Sequence, residues 1–195
     1  MSEIKHNTHS GDTQAGFDLH KTVVLVGMMG AGKTAVGRAL AARLGVPFLD
    51  SDAEIESAAN MTIPEIFERD GEPFFRTKET QVIGRLLEEK KGILSTGGGA
   101  FLQPENRSTI AQKGAAVWLR ADLNVLWNRV RHKDTRPLLR TADPYATLKS
   151  LYEARVPIYA QADLTVESDG ETSIENMVGR VVDALLARPD VLELR

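Results

Sequence analysis

Cysteine is missing from this 195-residue chain, which excludes a thiol nucleophile, a disulfide framework and thiolate-bound zinc. Long apolar runs are missing too. Nothing approaches the roughly 18 residues that a membrane-spanning helix needs, and the N-terminal stretch has no signal-type hydrophobic core. The expectation is a soluble cytoplasmic protein with no membrane partner. Basic excess is also lacking: 24 Lys and Arg against 27 Asp and Glu leave a formal net charge of −3, so no cationic surface for nucleic acid is expected. Histidine is scarce, with His6, His9 and His20 in or beside a polar N-terminal segment and His132 alone further on. Their spacing matches no metal-ligand pattern, and acid–base chemistry therefore falls to carboxylates.

What the chain does have is concentrated between Thr22 and Ala35, in TVVLVGMMGAGKTA. Val23 to Val26 is a short β-branched run suited to a buried parallel strand. It leads into Gly27, then four residues, then Gly32, Lys33 and Thr34, which is the G-x-x-x-x-G-K-[ST] pattern between a strand and a helix. Glycines let the chain fold back with N–H groups facing inward as a nest for anionic oxygens. Lys33 places a point charge on outer phosphates, the Thr34 hydroxyl suits Mg²⁺, and the following helix adds its positive dipole end. The chain is expected to handle a nucleoside triphosphate.

The length suits one α/β domain. Met1 to Asp18 reads as a flexible tail, and a helix from Ala35 to Leu44 ends at Gly45. Strands are expected at Pro47 to Asp50, Ile93 to Thr96, Ala116 to Leu119 and Leu164 to Val166. Between them fall helices at Asp52 to Ala59, from a Thr62-to-Glu65 capping box to Arg69, and at Pro73 to Lys90. Further helices are expected at Pro104 to Gln112, Leu123 to Val130 and Tyr145 to Arg155, the last interrupted near Pro157, with Ser173 to Ala187 closing the chain. Arg131 to Pro144 is a basic loop. Such alternation implies a parallel sheet with right-handed crossovers and a ligand beyond the carboxyl ends of its strands.

Those strand tips carry the candidate chemistry. Asp50 and Asp52 stand at i and i+2, so an extended chain would turn both carboxylates to one side, where Mg²⁺ on Thr34 would offset their repulsion. Asp50 is then the metal-side carboxylate and Asp52 the one that meets a hydroxyl proton. Either could instead serve as a helix cap. Thr96-Gly97-Gly98-Gly99 ends a strand with bare backbone that a ligand can approach closely. Arg76 lies three positions before Glu79 on a helix, where a structural ion pair is the plainer expectation, and Arg136 stands in the basic loop.

Taken together, GMMGAGKT, LDSD, FFRTKE, STGGGA, RPLL and ARVPIY resemble, in order and spacing, the bacterial shikimate kinases, over about Lys21 to Leu186. The resemblance implies a P-loop α/β three-layer sandwich with a five-stranded parallel sheet of order 2-3-1-4-5. It implies transfer of the ATP γ-phosphoryl group to the 3-hydroxyl of shikimate, with Mg²⁺ as cofactor. On that basis Gly30, Ala31, Gly32, Lys33, Thr34 and Ala35 hold ATP phosphates, Thr34 ligates Mg²⁺ and Asp50 assists through water. Asp52 binds the acceptor hydroxyls and takes a proton, Arg76 and Arg155 clamp its carboxylate, and Gly98 meets it through the backbone. Arg136 closes over the phosphates from a lid at about 131–144, while Arg129 and the Ser168 to Glu171 loop border the adenine. The implied organisation is a tail at 1–19, a kinase domain at 20–187 with its substrate region at about 52–80, and a tail at 188–195, acting as a monomer. A gluconate-kinase-like enzyme and a catalytically silent nucleotide-binding module are the alternatives. Paired arginines favour a carboxylated acceptor, and intact Lys33, Asp52 and Arg136 argue against silence.

Overall fold

Strand Thr22–Val26 (β2) is the centre of the molecule, buried along its whole length. Its β-branched and leucine side chains pack on both faces, which is why they form a continuous apolar run with no alternation. The fold is given by a computed structural model that describes residues 16–133 and 137–195. Around β2 stand Phe48–Asp50 (β3), Ile93–Ser95 (β4), Gly114–Ala121 (β5) and Leu164–Ser168 (β6), all parallel in the order β3-β4-β2-β5-β6. Counted from β2, that is the expected order 2-3-1-4-5.

The chain leaves β2 through helix Lys33–Leu44 (α1) toward β3 at one edge. It returns through Ser51–Ala59 (α2), Ile63–Asp70 (α3) and Glu72–Glu89 (α4) to β4. Pro104–Lys113 (α5) then carries it across to β5, and Leu123–Val130 (α6) and Pro144–Tyr159 (α7) lead to β6. Right-handed crossovers running in opposite directions put their helices on opposite faces, giving three layers. The last helix, Ile174–Leu186 (α8), packs beside α1. The reversal of direction leaves the loop after β2 at the switch point of the sheet, where open α/β folds bind ligands.

The expected capping box is present. Glu65 N–H donates to Thr62 Oγ1 and Thr62 N–H to Glu65 Oε2, which satisfies two otherwise unpaired donors at the start of α3. Two expectations need correction. Helix α7 does not break near Pro157 but continues to Tyr159, whose side chain is wholly buried. Tertiary anchoring beyond the proline offsets the lost backbone hydrogen bond. The tails drawn at 1–19 and 188–195 also meet each other: Phe17–Leu19 (β1) pairs antiparallel with Leu192–Leu194 (β7). A His20–Glu193 hydrogen bond and Lys21–Asp190 and Arg195–Asp18 ion pairs flank this ribbon, and Val191 and Leu192 are fully buried. Residues 1–15 lie outside the described residues.

A packed C-terminus makes a direct demand on stability. Leu192→Ala is expected to cost about 2–5 kcal/mol, while Leu194→Ala, at the exposed end of the same strand, should stay within about 0.5 kcal/mol. Denaturant unfolding of both variants measures this, and equal small effects would mean that the segment does not pack.

Candidate active site

The loop between β2 and α1 is shaped by where glycine permits a positive φ. Gly30 stands at φ 81° and Gly32 at φ 93°, conformations that side-chain-bearing residues rarely adopt. Gly32 caps α1 without a side chain, and no acidic residue occupies the first turn of that helix. No capping side chain or first-turn carboxylate therefore competes with an anion at the start of α1, which the dipole also favours. Lys33 Nζ donates to the carbonyls of Gly27 (2.8 Å) and Met28 (2.9 Å), holding the ammonium over the loop. Arg129, at the end of α6, donates to the Gly30 carbonyl (2.9 Å) and to Ser168 Oγ (3.1 Å), bracing the loop against β6.

A cleft of about 530 Å³ opens over this loop. It is lined by residues 29–36, by Asp50 and Asp52, by Ser95 to Gly98, and on the far wall by Arg129, Thr172, Ile174 and Met177. Ile174 and Met177 gave no motif in the sequence. Their sign is local: Ile174 is a half-exposed aliphatic in the first turn of a helix, a poor place for an apolar side chain unless something covers it.

The two aspartates reach the cleft by different routes. β3 ends at Asp50, and Asp52 already lies in the first turn of α2, so the extended-chain parity of i and i+2 does not apply. Asp50 is the helix cap: its Oδ1 accepts from the N–H groups of Asp52 (2.9 Å) and Ala53 (3.1 Å). Asp52 is left with an unfavourable charge. Burial, and then the neighbouring Asp50, push its carboxyl up to about 6, against the pull of Lys33 and Arg76. Oxygen donors are few here, and no cluster of three His, Asp or Glu able to cage a metal exists among the described residues. A divalent ion fits this donor set only in the manner of Mg²⁺, held by a hydroxyl, a carboxylate and the oxygens of its own ligand.

The triple glycine after β4 explains itself once its neighbours are seen. A β-carbon on Gly97 would stand 2.9 Å from Asp52 Oδ1, and one on Gly98 would stand 3.1 Å from Arg155 Nη1. One on Gly99 would collide with the Arg76 guanidinium. Each glycine therefore makes room for a different charged side chain. Helix α4 presents Arg76, whose Nη1 pairs with Glu79 Oε1 at 2.8 Å, and Glu79 is 1% exposed. Burial raises the Glu79 carboxyl and the Arg76 charge lowers it, so the pair is best read as a buried carboxylate orienting its arginine. Helix α7 presents Arg155, and one turn later the Tyr159 hydroxyl donates to the Gly98 carbonyl at 2.5 Å. Tyr159 was not among the residues singled out from the sequence, although its i, i+4 spacing from Arg155 could have found it. Asn106 and Arg107 of α5 hold the rest of the turn through the carbonyls of Ala100, Phe101 and Leu102.

The structure thus gathers Gly30 to Ala35, Asp50, Asp52, Arg76, Gly98 and Arg155 around one cleft and the turn that forms its edge. Arg136 lies outside the described residues. The arrangement offers a nest for phosphates, a carboxyl raised toward neutrality and two guanidinium groups against adjacent glycines of one turn.

Comparison with known proteins points to one family. A family model described as shikimate kinase matches residues 29–186. The shikimate kinase of Ruegeria pomeroyi is 72% identical over 194 residues, which is 100% of both chains. A solved shikimate kinase from Acinetobacter baumannii, in complex with shikimate, is 40% identical with a TM-score of 0.81, covering 86% of this chain and 93% of that one. A gluconokinase from Sinorhizobium meliloti is 21% identical with a TM-score of 0.55, covering 87% and 93%, a likeness of fold alone.

The raised carboxyl of Asp52 carries a stability consequence. A folded-state value of about 6 exceeds the unfolded one, so the native state binds the proton more tightly and loses stability as pH rises through roughly 4 to 6. Asp52→Asn is expected to stabilise the ligand-free protein by on the order of 2 kcal/mol at pH 7 and by little near pH 4. Unfolding curves at both pH values measure the difference, and a destabilised variant at pH 7 would contradict the assignment.

Proposed function

This chain belongs to the shikimate kinase family, and from that premise we propose how its own residues divide the reaction. The enzyme transfers the γ-phosphoryl group of ATP to the 3-hydroxyl of shikimate, in aromatic amino-acid biosynthesis. The observation that carries this is 72% identity to a shikimate kinase along the whole length of both chains. The roles below rest on the cleft.

The loop Gly30 to Ala35 binds the ATP phosphates through its N–H groups, and Lys33 leaves the Gly27 and Met28 carbonyls for the β- and γ-oxygens. Thr34 and Asp50 would hold Mg²⁺, which would supply neutralisation of phosphate charge. Ile174, Met177 and Arg129 form the wall against which the base lies. At the other end Arg76 and Arg155 grip the shikimate carboxylate beside Gly98, and Asp52 accepts the proton of the attacking hydroxyl. Supporting this split, only the Asp52 carboxylate is both raised toward neutrality and set against the glycine turn, while Asp50 is committed to capping α2. Phosphoryl transfer asks for positioning and charge balance more than covalent chemistry, and this is what such a site supplies. Arg136 acts on the transferring phosphoryl group, a role that rests on the sequence resemblance. The protein works as a monomer in the cytoplasm, where ATP is made available, without nucleic acid. No helix among the described residues is long and apolar enough to cross a membrane.

If Asp52 must be ionised to take the proton, kcat/KM should fall about tenfold per pH unit below about 6 and level off above it. Asp52→Asn should lose at least about a hundredfold above about pH 7 and show no such slope, so that the deficit narrows as pH falls. A coupled assay with ATP, Mg²⁺ and shikimate gives both, and a variant of near-normal activity would remove Asp52 from the chemistry.

The carboxylate clamp has its own test. Arg76→Ala and Arg155→Ala should each raise the KM for shikimate by roughly ten- to 150-fold, with the ATP KM nearly unchanged. A methyl ester of shikimate should be a poor acceptor for the unsubstituted enzyme and lose little more with either variant. An ester phosphorylated as well as the acid would mean that the arginines serve something else.

A further inference from the structure

We infer that Tyr159 is a positioning residue for the acceptor: by occupying the Gly98 carbonyl, its hydroxyl keeps the Arg155 guanidinium turned toward the acceptor carboxylate. The inference rests on the clamp reading of Arg155 and goes beyond it.

Packing alone does not require a tyrosine here. The ring is wholly buried, 6.1 Å from the Trp118 ring, and a phenylalanine would fill the same space. A buried phenol needs a partner, and this one donates to a single acceptor, the Gly98 carbonyl, at 2.5 Å. That carbonyl belongs to the residue against which Arg155 Nη1 packs, with 3.1 Å separating Nη1 from the place a β-carbon on Gly98 would take. Tyr159 Oη stands 3.8 Å from the same place. Arginine carries five donors, and a half-buried carbonyl without a partner so close to them would draw one in. The phenol prevents this by supplying the donor itself. The peptide is trans, so a carbonyl directed at Tyr159 also sends the Gly99 N–H to the opposite side, away from α7. Burial raises the phenol against the Arg155 charge and a hydrogen bond from Arg155, so the hydroxyl stays protonated as a donor to Gly98 while it faces the guanidinium.

The turn itself does not hang on this bond. Asn106 and Arg107 hold its far end from α5, and Gly97 and Gly99 accept from Ala100 and Leu102 N–H within it. Loss of the hydroxyl should therefore misdirect Arg155 and leave the fold in place.

The test is a mutant cycle with Tyr159→Phe, Arg155→Ala and the double variant, each checked by circular dichroism and thermal melting. Tyr159→Phe should raise the KM for shikimate roughly five- to tenfold, with kcat and the ATP KM changing less than about twofold. In the Arg155→Ala background the same substitution should add less than about twofold, because the group it directs is gone. If Arg155→Ala raises the KM but Tyr159→Phe does not, or has its full effect in both backgrounds, the positioning role is overturned and the clamp stands. If Arg155→Ala leaves the KM unchanged, the clamp falls and this inference with it.

Discussion

Close approach to bare backbone governs this molecule. Gly97, Gly98 and Gly99 each leave open the space of a β-carbon, and Asp52, Arg155 and Arg76 fill those three spaces from α2, α7 and α4. Three helices distant in sequence can bring charged groups within a few ångströms of one another only because the turn between them has no side chains. A single alanine there would force a carboxylate or a guanidinium aside. The tightness of the turn, more than any one side chain, sets the shape of the acceptor end.

Charge balance follows from that geometry. Asp52 is held in a place where burial and Asp50 both oppose its ionisation, and Lys33 and Arg76 relieve this only partly. The site therefore carries charge that is poorly matched without its ligands, unlike the central strand β2, which is buried along its length and apolar from Val23 to Val26. Mismatch of this kind concentrates at functional sites and persists because the surrounding fold over-determines it. Substrate hydroxyls and a cation brought with the nucleotide would meet the charges that the free protein leaves poorly matched. The same logic applies to Lys33, which rests on loop carbonyls that phosphate oxygens can replace.

The phosphate end depends on backbone. Gly30 and Gly32 take positive-φ conformations, Gly32 caps α1 without a side chain, and Arg129 ties the loop to Ser168 at the end of β6, two strands from β2. Joining the loop to β6 in this way makes the sheet, with β2 at its centre, the common frame for both ends of the cleft. The two ends are thus kept in register, as transfer between two bound molecules requires.

Much of this was legible from local pattern. The strand-loop-helix around Gly27 to Thr34, the Thr62 capping box, the alternation of strands and helices, the Asp50 and Asp52 pair and the triple glycine all follow from spacing and residue type, whereas Arg155, the clamp role of Arg76 and the sheet order came only with the family resemblance. Each of the former is a short-range property, written within one turn or one strand. What the tertiary structure decided lies between segments far apart in the chain. β1 finds β7 across some 170 residues, through runs of three residues too short to signal pairing. Helix α7 passes Pro157 because the Tyr159 ring beyond it is wholly buried near Trp118. Asp52 faces the cleft from a helix, not from an extended strand, because Asp50 caps that helix one residue earlier than expected. The triple glycine announced a close approach but could not name its occupants. The occupants come from three different helices, and only packing brings them to the same turn.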